Sequence, residues 1–232
     1  MNQSIHQLQQ LIASFTGKLL REHFGKGPES VLVSMGGQYI TLYLRNFLTS
    51  SERMLVQQDH TMIVNQMREK LMQLVIPEVS GYIHSLTGCQ PSEIYYDWAL
   101  HNQSGMITVI CPQPFAEVPD LREDYDKKAE LEEEIILISE QAQKVPEQLQ
   151  SYEINNRTLL FVREGILAPV EKEFIRLGHG ELLKNVKRNL EKQYLYNQQV
   201  FEPILNRRML DIFVDWNYAQ DKSIIVMVTS PK

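Results

Sequence analysis

The residue pattern of the first half of the chain returns, in order, in the second half. An internal repeat is one structural unit used twice, so it limits the fold more than any single motif does. Lys26-Gly27-Pro28-Glu29 falls on Lys144-Val145-Pro146-Glu147, an offset of 118 positions. Leu42 falls on Leu160 and Arg45 on Arg163 at the same offset. One extra residue in the second-half loop after Arg163 moves the offset to 119. Leu48 then meets Leu167, Glu52 meets Glu171, His60 meets His179 and Leu71 meets Leu190. The offset returns to 118 before Asp97-Trp98 meets Asp215-Trp216, which hold the chain's two tryptophans.

The order of predicted elements repeats as well. Residues 4–24 carry Ile5, Leu8, Ile12, Phe15, Leu19 and Phe24 on one helical face, and Gly25-Lys26-Gly27-Pro28 ends that helix. Residues 30–35 and 38–45 are rich in β-branched and aromatic side chains and flank Gly36-Gly37, a hairpin signal. The polar Thr49-Ser50-Ser51-Glu52 fits a helix cap. A long helix over 60–87 follows, with a predicted core stripe of Val64, Met67, Leu71, Val75, Val79, Tyr82 and Leu86, a kink at Pro77 and a stop at Gly88. Strands over 93–100 and 105–111 complete the unit. The second half reads as a helix over 125–143, strands over 148–153 and 157–163, a helix over 179–205 and strands over 210–218 and 223–229. The predicted stripe of that second long helix is Leu183, Val186, Leu190, Tyr194, Phe201 and Leu205. The links between paired strands are too short for crossovers, so the pairing is antiparallel. The expected fold is therefore α+β: two tandem α-β-β-α-β-β units, each a two-layer antiparallel sheet covered by helices.

The expected boundaries are a first repeat over 1–114, an acidic, proline-rich linker over 115–124 and a diverged second repeat over 125–232. Pro112, Pro114 and Pro119 interrupt both ladders and helices there. Nine acids and three bases between Ala116 and Glu134 carry the whole net charge of −6. The rest of the chain balances, which leaves no electrostatic footprint for nucleic acid. No apolar run reaches spanning length, and the N-terminus lacks the basic and apolar regions of a secretory signal. Two cysteines, Cys89 and Cys111, at the outer ends of one predicted hairpin, are too few for a disulfide framework, so a cytoplasmic location is the expectation.

Candidate chemistry is sparse. The six histidines show no ligand spacing and there is no CxxC, so no metal site and no cofactor are expected. Glycine pairs lack a phosphate-loop pattern. Asp97 and Asp215 each precede a tryptophan in a strand, so Trp98 and Trp216 point to the helices while the aspartates face out, either as structure or as a recognition surface between the repeats. His60 and His179 are paired by the repeat near the starts of the long helices and complete the interface candidates. Lys184, Lys187, Arg188 and Lys192 form the most basic patch, read as a solvated helix face or a contact for an acidic segment or anionic membrane.

The run from His23 to Leu55, HFGKGPESVLVSMGGQYITLYLRNFLTSSERML, resembles the MpsC-like family. Its motifs are Gly25-Lys26-Gly27-Pro28, then Leu48-Thr49-Ser50-Ser51-Glu52-Arg53, then Leu86-Thr87-Gly88, in order over residues 5–112. The second half departs from them: Lys144-Val145-Pro146 lacks both glycines and Asn206-Arg207-Arg208 replaces the last motif, while Leu167-Ala168-Pro169-Val170-Glu171-Lys172 fits the loop pattern. The resemblance implies a role beside a Na+-translocating, membrane-potential-generating system linked also to inorganic-carbon uptake. It brings no catalytic residues. The reading is a cytoplasmic accessory protein, or one peripheral to the inner face of the membrane, whose partner is a protein of a membrane transport system. Two other readings stand beside it. One is a small-molecule-binding or enzymatic domain with its site at the repeat interface. The other is a structural assembly protein in which an intrachain pseudo-dimer imitates a homo-oligomer.

Overall fold

The structure is a computed structural model and describes residues 4–115, 118–119, 121–197 and 199–231. The chain divides into two compact units, Met1–Asp120 and Leu121–Lys232.

In unit 1, α1 (Ile5–Phe24) precedes the hairpin β1 (Ser30–Gly36) and β2 (Tyr39–Arg45). The helices α2 (Ser50–Gln57) and α3 (Thr61–Thr87) and the hairpin β3 (Glu93–Ala99) and β4 (Ser104–Ile110) follow. The sheet order is β1-β2-β4-β3 and every pairing is antiparallel. Local chemistry sets the ends. Ser4 and Gln7 form a capping box at the start of α1, and Gly25 takes the left-handed conformation that ends it. The polar loop at Thr49 caps α2, a helix of two turns in its own right. The helix α3 runs unbroken through Pro77 to a left-handed Gly88. Apolar side chains from α1, α3 and one sheet face, with Trp98 among them, make the core.

Unit 2 has α4 (Lys128–Ala142), β5 (Gln148–Asn155), β6 (Thr158–Glu164), α5 (Pro169–Arg176), α6 (Gly180–Asn197), α7 (Phe201–Leu205), β7 (Met209–Asn217) and β8 (Lys222–Thr229). Its sheet order, β5-β6-β8-β7, is that of unit 1. Two sequence expectations change. The first helix starts at Lys128 rather than 125, after a left-handed Lys127. The long helix expected over 179–205 is two helices; Pro203 sits in the first turn of α7, where its missing N–H breaks no helical bond.

The two units repeat down to backbone detail. Left-handed residues recur at equivalent places: Asn46 and Gly165, Asp59 and Gly178, Gly88 and Asn206, Gln103 and Asp221. Strand register corrects one part of the alignment. Glu29 donates its N–H to Arg45 and Glu147 to Glu164, so Arg45 corresponds to Glu164 and not to Arg163. The extra residue of unit 2 is a bulge between Glu153 and Asn155, inside the hairpin and not in the loop after it. A bulge leaves no turn residue to betray it, which hides it from a sequence reading. Arg163 is thereby the counterpart of Leu44, and Phe161 that of Leu42.

Candidate functional site

The counterpart pairs meet at the start of each long helix. In unit 1 the Glu52 carboxylate does two jobs. It accepts the Thr49 N–H at 2.7 Å, capping α2, and it accepts two bonds from the Arg68 guanidinium, 2.7 Å from Nε and 2.9 Å from Nη2. Arg68 also donates to the Phe47 carbonyl at 2.8 Å. Its guanidinium carbon lies 4.4 Å from the Trp98 ring centroid, 4.8 Å from that of Phe47 and 5.6 Å from that of Phe24. Both Arg68 and Glu52 are fully buried. Burial pushes the Glu52 pKa up, but the Arg68 bonds and charge, with the Thr49 cap, hold it below the usual carboxylate value.

Unit 2 keeps the plan with a lysine. Glu171 accepts the Ala168 N–H at 2.8 Å, and Lys187 Nζ lies 2.7 Å from Glu171 and 5.3 Å from the Trp216 ring centroid. Burial pulls the Lys187 pKa down; Glu171 and Glu191 oppose this and Arg163 adds to it. Beside it is a second buried ion pair, Arg163 to Glu191. Arg163 also donates to Ser139 Oγ at 2.8 Å and Ser223 Oγ at 2.9 Å.

The residues singled out in the sequence fall into different places. Trp98 and Trp216 are core residues over the clamped cations. Asp97 and Asp215 lie on the opposite sheet face, as alternation requires, yet both are buried and not outward in solvent. Asp97 accepts the Trp98 N–H at 2.7 Å. Asp215 meets Lys184 Nζ at 2.7 Å and Arg188 Nη2 at 3.2 Å. His60 and His179 are exposed at the starts of α3 and α6; their backbone N–H groups donate to Leu55 and Phe174, and their rings are not brought to the clamps. The expected solvated basic face is absent as such. Lys187 and Arg188 are buried, Lys184 is largely so, and Lys192 lies 5.6 Å from the Phe213 ring centroid. Carboxylates and rings within the unit take up these cations.

The residues sequence reasoning missed are Arg68, Arg163 and Glu191, and the miss has one cause. The buried line of α3 is Val64, Arg68, Met72, Val75, Val79 and Ile83, which leaves Met67 of the predicted core stripe exposed. On α6 the buried line is Lys187, Arg188, Glu191 and Leu195, and Val186 and Leu190 are exposed. On α6 charged residues turn in and apolar ones turn out, and on α3 Arg68 joins an otherwise apolar buried line. A signal existed: the offset of 119 that pairs His60 with His179 also puts Arg68 on Lys187, a cation beside the apolar stripe in both halves.

The outward residues are many. Met54, Met62, Ile63, Met67 and Leu74 are exposed on α2 and α3; Phe174, Leu177, Leu182, Val186 and Leu190 are exposed on or beside α5 and α6. The break after α6 also opens a cleft of about 890 Å³ lined by Tyr196, Glu202, Arg207, Arg208 and Met209, among others. Among the described residues no group of three or more His, Cys, Asp or Glu side chains is placed to hold a metal ion, and no helix is long and apolar enough to cross a membrane.

A four-stranded antiparallel sheet with helices on one face, present twice, and a cation–carboxylate–tryptophan clamp in each copy, define a tandem α+β repeat protein. The family model described as Na+-translocating membrane potential-generating system (MpsC) matches residues 4–113 and again 125–230, and the chain belongs to that family. No curated protein and no solved structure matches the chain.

Proposed function

We propose that the protein is an accessory component of a Na+-translocating, membrane-potential-generating system, located in the cytoplasm or at the inner face of the membrane, and that it acts by binding a protein of that system. Family membership over both units supports the partner class. The single observation that carries the binding role is the exposed apolar surface on the short and long helices. In both units the short helix and the first half of the long helix turn apolar side chains to solvent, Met54, Met62, Ile63, Met67 and Leu74 in one and Phe174, Leu177, Leu182, Val186 and Leu190 in the other. Exposed apolar surface of this extent is uncommon unless something covers it in use. Methionines at three of the unit 1 positions suit a surface that adapts to its partner.

The test is the Na+-dependent membrane potential of cells that lack the chain. The potential falls without the protein and returns when it is supplied. A Met67→Glu, Val186→Glu variant that folds and accumulates normally fails to restore it. An unchanged potential in its absence contradicts the accessory role, and full rescue by the variant contradicts the binding face.

A further inference from the structure

The two cysteines of the chain lie together in unit 1, and neither is used by the clamp. Cys89 follows the left-handed Gly88 that ends α3, and its N–H donates to Thr87 Oγ1 at 3.2 Å. Cys111 follows the last residue of β4, and its N–H donates to the Gln38 carbonyl at 3.0 Å. Ser92 ties the two segments together, donating its N–H and hydroxyl to the Ile110 carbonyl at 2.8 and 3.0 Å. Ser92, three residues after Cys89, thus sits beside Ile110, the residue before Cys111, and the Cys89 thiol is the neighbour that acts on Cys111. Both are free; Cys89 is half-buried and Cys111 is buried.

We propose that Cys89 and Cys111 are a reversible dithiol–disulfide pair that a low-molecular-weight disulfide oxidises, with Cys89 as the entry thiol and Cys111 as the resolving one. Exposure assigns the roles, because a small disulfide reaches Cys89 and not Cys111. Cys89 gives its proton to solvent and its sulfur attacks one sulfur of R–S–S–R. That bond breaks, a mixed disulfide forms on Cys89 and RS⁻ leaves and takes up a proton. Cys111 then gives its proton to water and attacks Cys89 Sγ, forming the Cys89–Cys111 bond and releasing the second RSH. Two electrons pass from the two protein thiols to the small disulfide.

The surroundings set the behaviour of the pair. Burial and the neighbouring Cys89 thiol push the Cys111 pKa up. Cys89 stands just past the C-terminal end of α3. Oxidation is therefore slow. The disulfide, once made, resists reduction because burial disfavours the Cys111 thiolate that reduction returns. The bond closes the β3–β4 hairpin into a ring and fixes the end of α3 to the sheet. In unit 2 the corresponding positions are Arg207 and Thr229, so the response belongs to unit 1 alone.

The test incubates the full chain with oxidised glutathione, alkylates the remaining thiols and maps peptides without reductant. The expected product joins the Cys89 and Cys111 peptides within one chain, with both thiols lost together and hydrogen exchange slowed over residues 84–92. A Cys111→Ser variant stops with one glutathione on Cys89, and Cys111→Ala repeats that result if serine disturbs folding. A Cys89→Ser variant leaves Cys111 unmodified in the folded chain. Wild type that stops at glutathionylated Cys89 overturns the proposal, and so does a covalent dimer in place of the internal bond.

Discussion

In unit 1 the short helix α2 is held to the long helix by an arginine, and in unit 2 the equivalent helix is held by a lysine. Arg68 fills its site unaided. It grips Glu52 with two nitrogens, reaches the Phe47 carbonyl and stacks among three aromatic rings. Lys187 is a point charge that pairs with one carboxylate and lies by one ring. The difference spreads into the core. Where unit 1 has Leu44, Met72 and Gly105, unit 2 has Arg163, Glu191 and Ser223, joined by hydrogen bonds with Ser139. Gly105 also explains how Trp98 lies in unit 1, because a Cβ there would collide with the indole ring. One backbone plan therefore carries an apolar layer in one copy and a buried ionic layer in the other. A buried ion pair is hard to remove by halves, since either partner left alone is an unpaired charge in a low-dielectric interior.

Removing the unit 1 cation breaks the comparison most severely. Arg68→Ala strands Glu52 and costs unit 1 about 3–5 kcal/mol. Arg68→Lys imports the unit 2 solution without its surroundings and costs about 1.5–3 kcal/mol through the lost charge-assisted bonds. Peptide-resolved hydrogen exchange in rising urea reads each unit separately and checks both values. Gly105→Ala pushes Trp98 off the sheet and costs unit 1 about 1–3 kcal/mol; unchanged unit 1 exchange would refute the packing argument. The smallest effect is acid sensitivity. Folded Glu52 binds its proton more weakly than the unfolded chain does, so its stabilisation is fully present above the unfolded pKa of about 4.3 and is lost as pH falls through the lower folded value. The unit 1 midpoint drops over that range, and a Glu52→Gln variant, though less stable, shows a shallower drop.

Most of the fold was legible because its signals are local. Glycine stops, hairpin turns, the Thr49 cap and period-2 strands lie within a few residues of what they control, and the repeat doubled each signal. The helix α5 and the split at α6–α7 were less legible, since Glu171 caps by reaching back to a backbone N–H and the loop at Ala168 has no capping hydroxyl. The clamp was hidden for a different reason. Hydrophobic periodicity assigns the apolar stripe to the core, and here tertiary pairing outweighs it: Arg68 and Lys187 are inside because Glu52 and Glu171, brought by another helix, meet them there. The sequence puts Asp215 on an outward strand face, apart from the basic patch it in fact neutralises, because alternation along β7 shows the face of a side chain and not the helix that reaches it.

The two units are one plan with interchangeable interior layers. The direct measurement compares Arg163→Leu with the triple variant Arg163→Leu, Glu191→Met, Ser223→Gly by urea-dependent hydrogen exchange of unit 2. The single change strands Glu191 and costs about 3–5 kcal/mol, whereas the triple change restores the unit 1 layer and leaves unit 2 within about 1 kcal/mol of wild type or more stable. A triple variant as unstable as the single one would contradict the equivalence of the two layers.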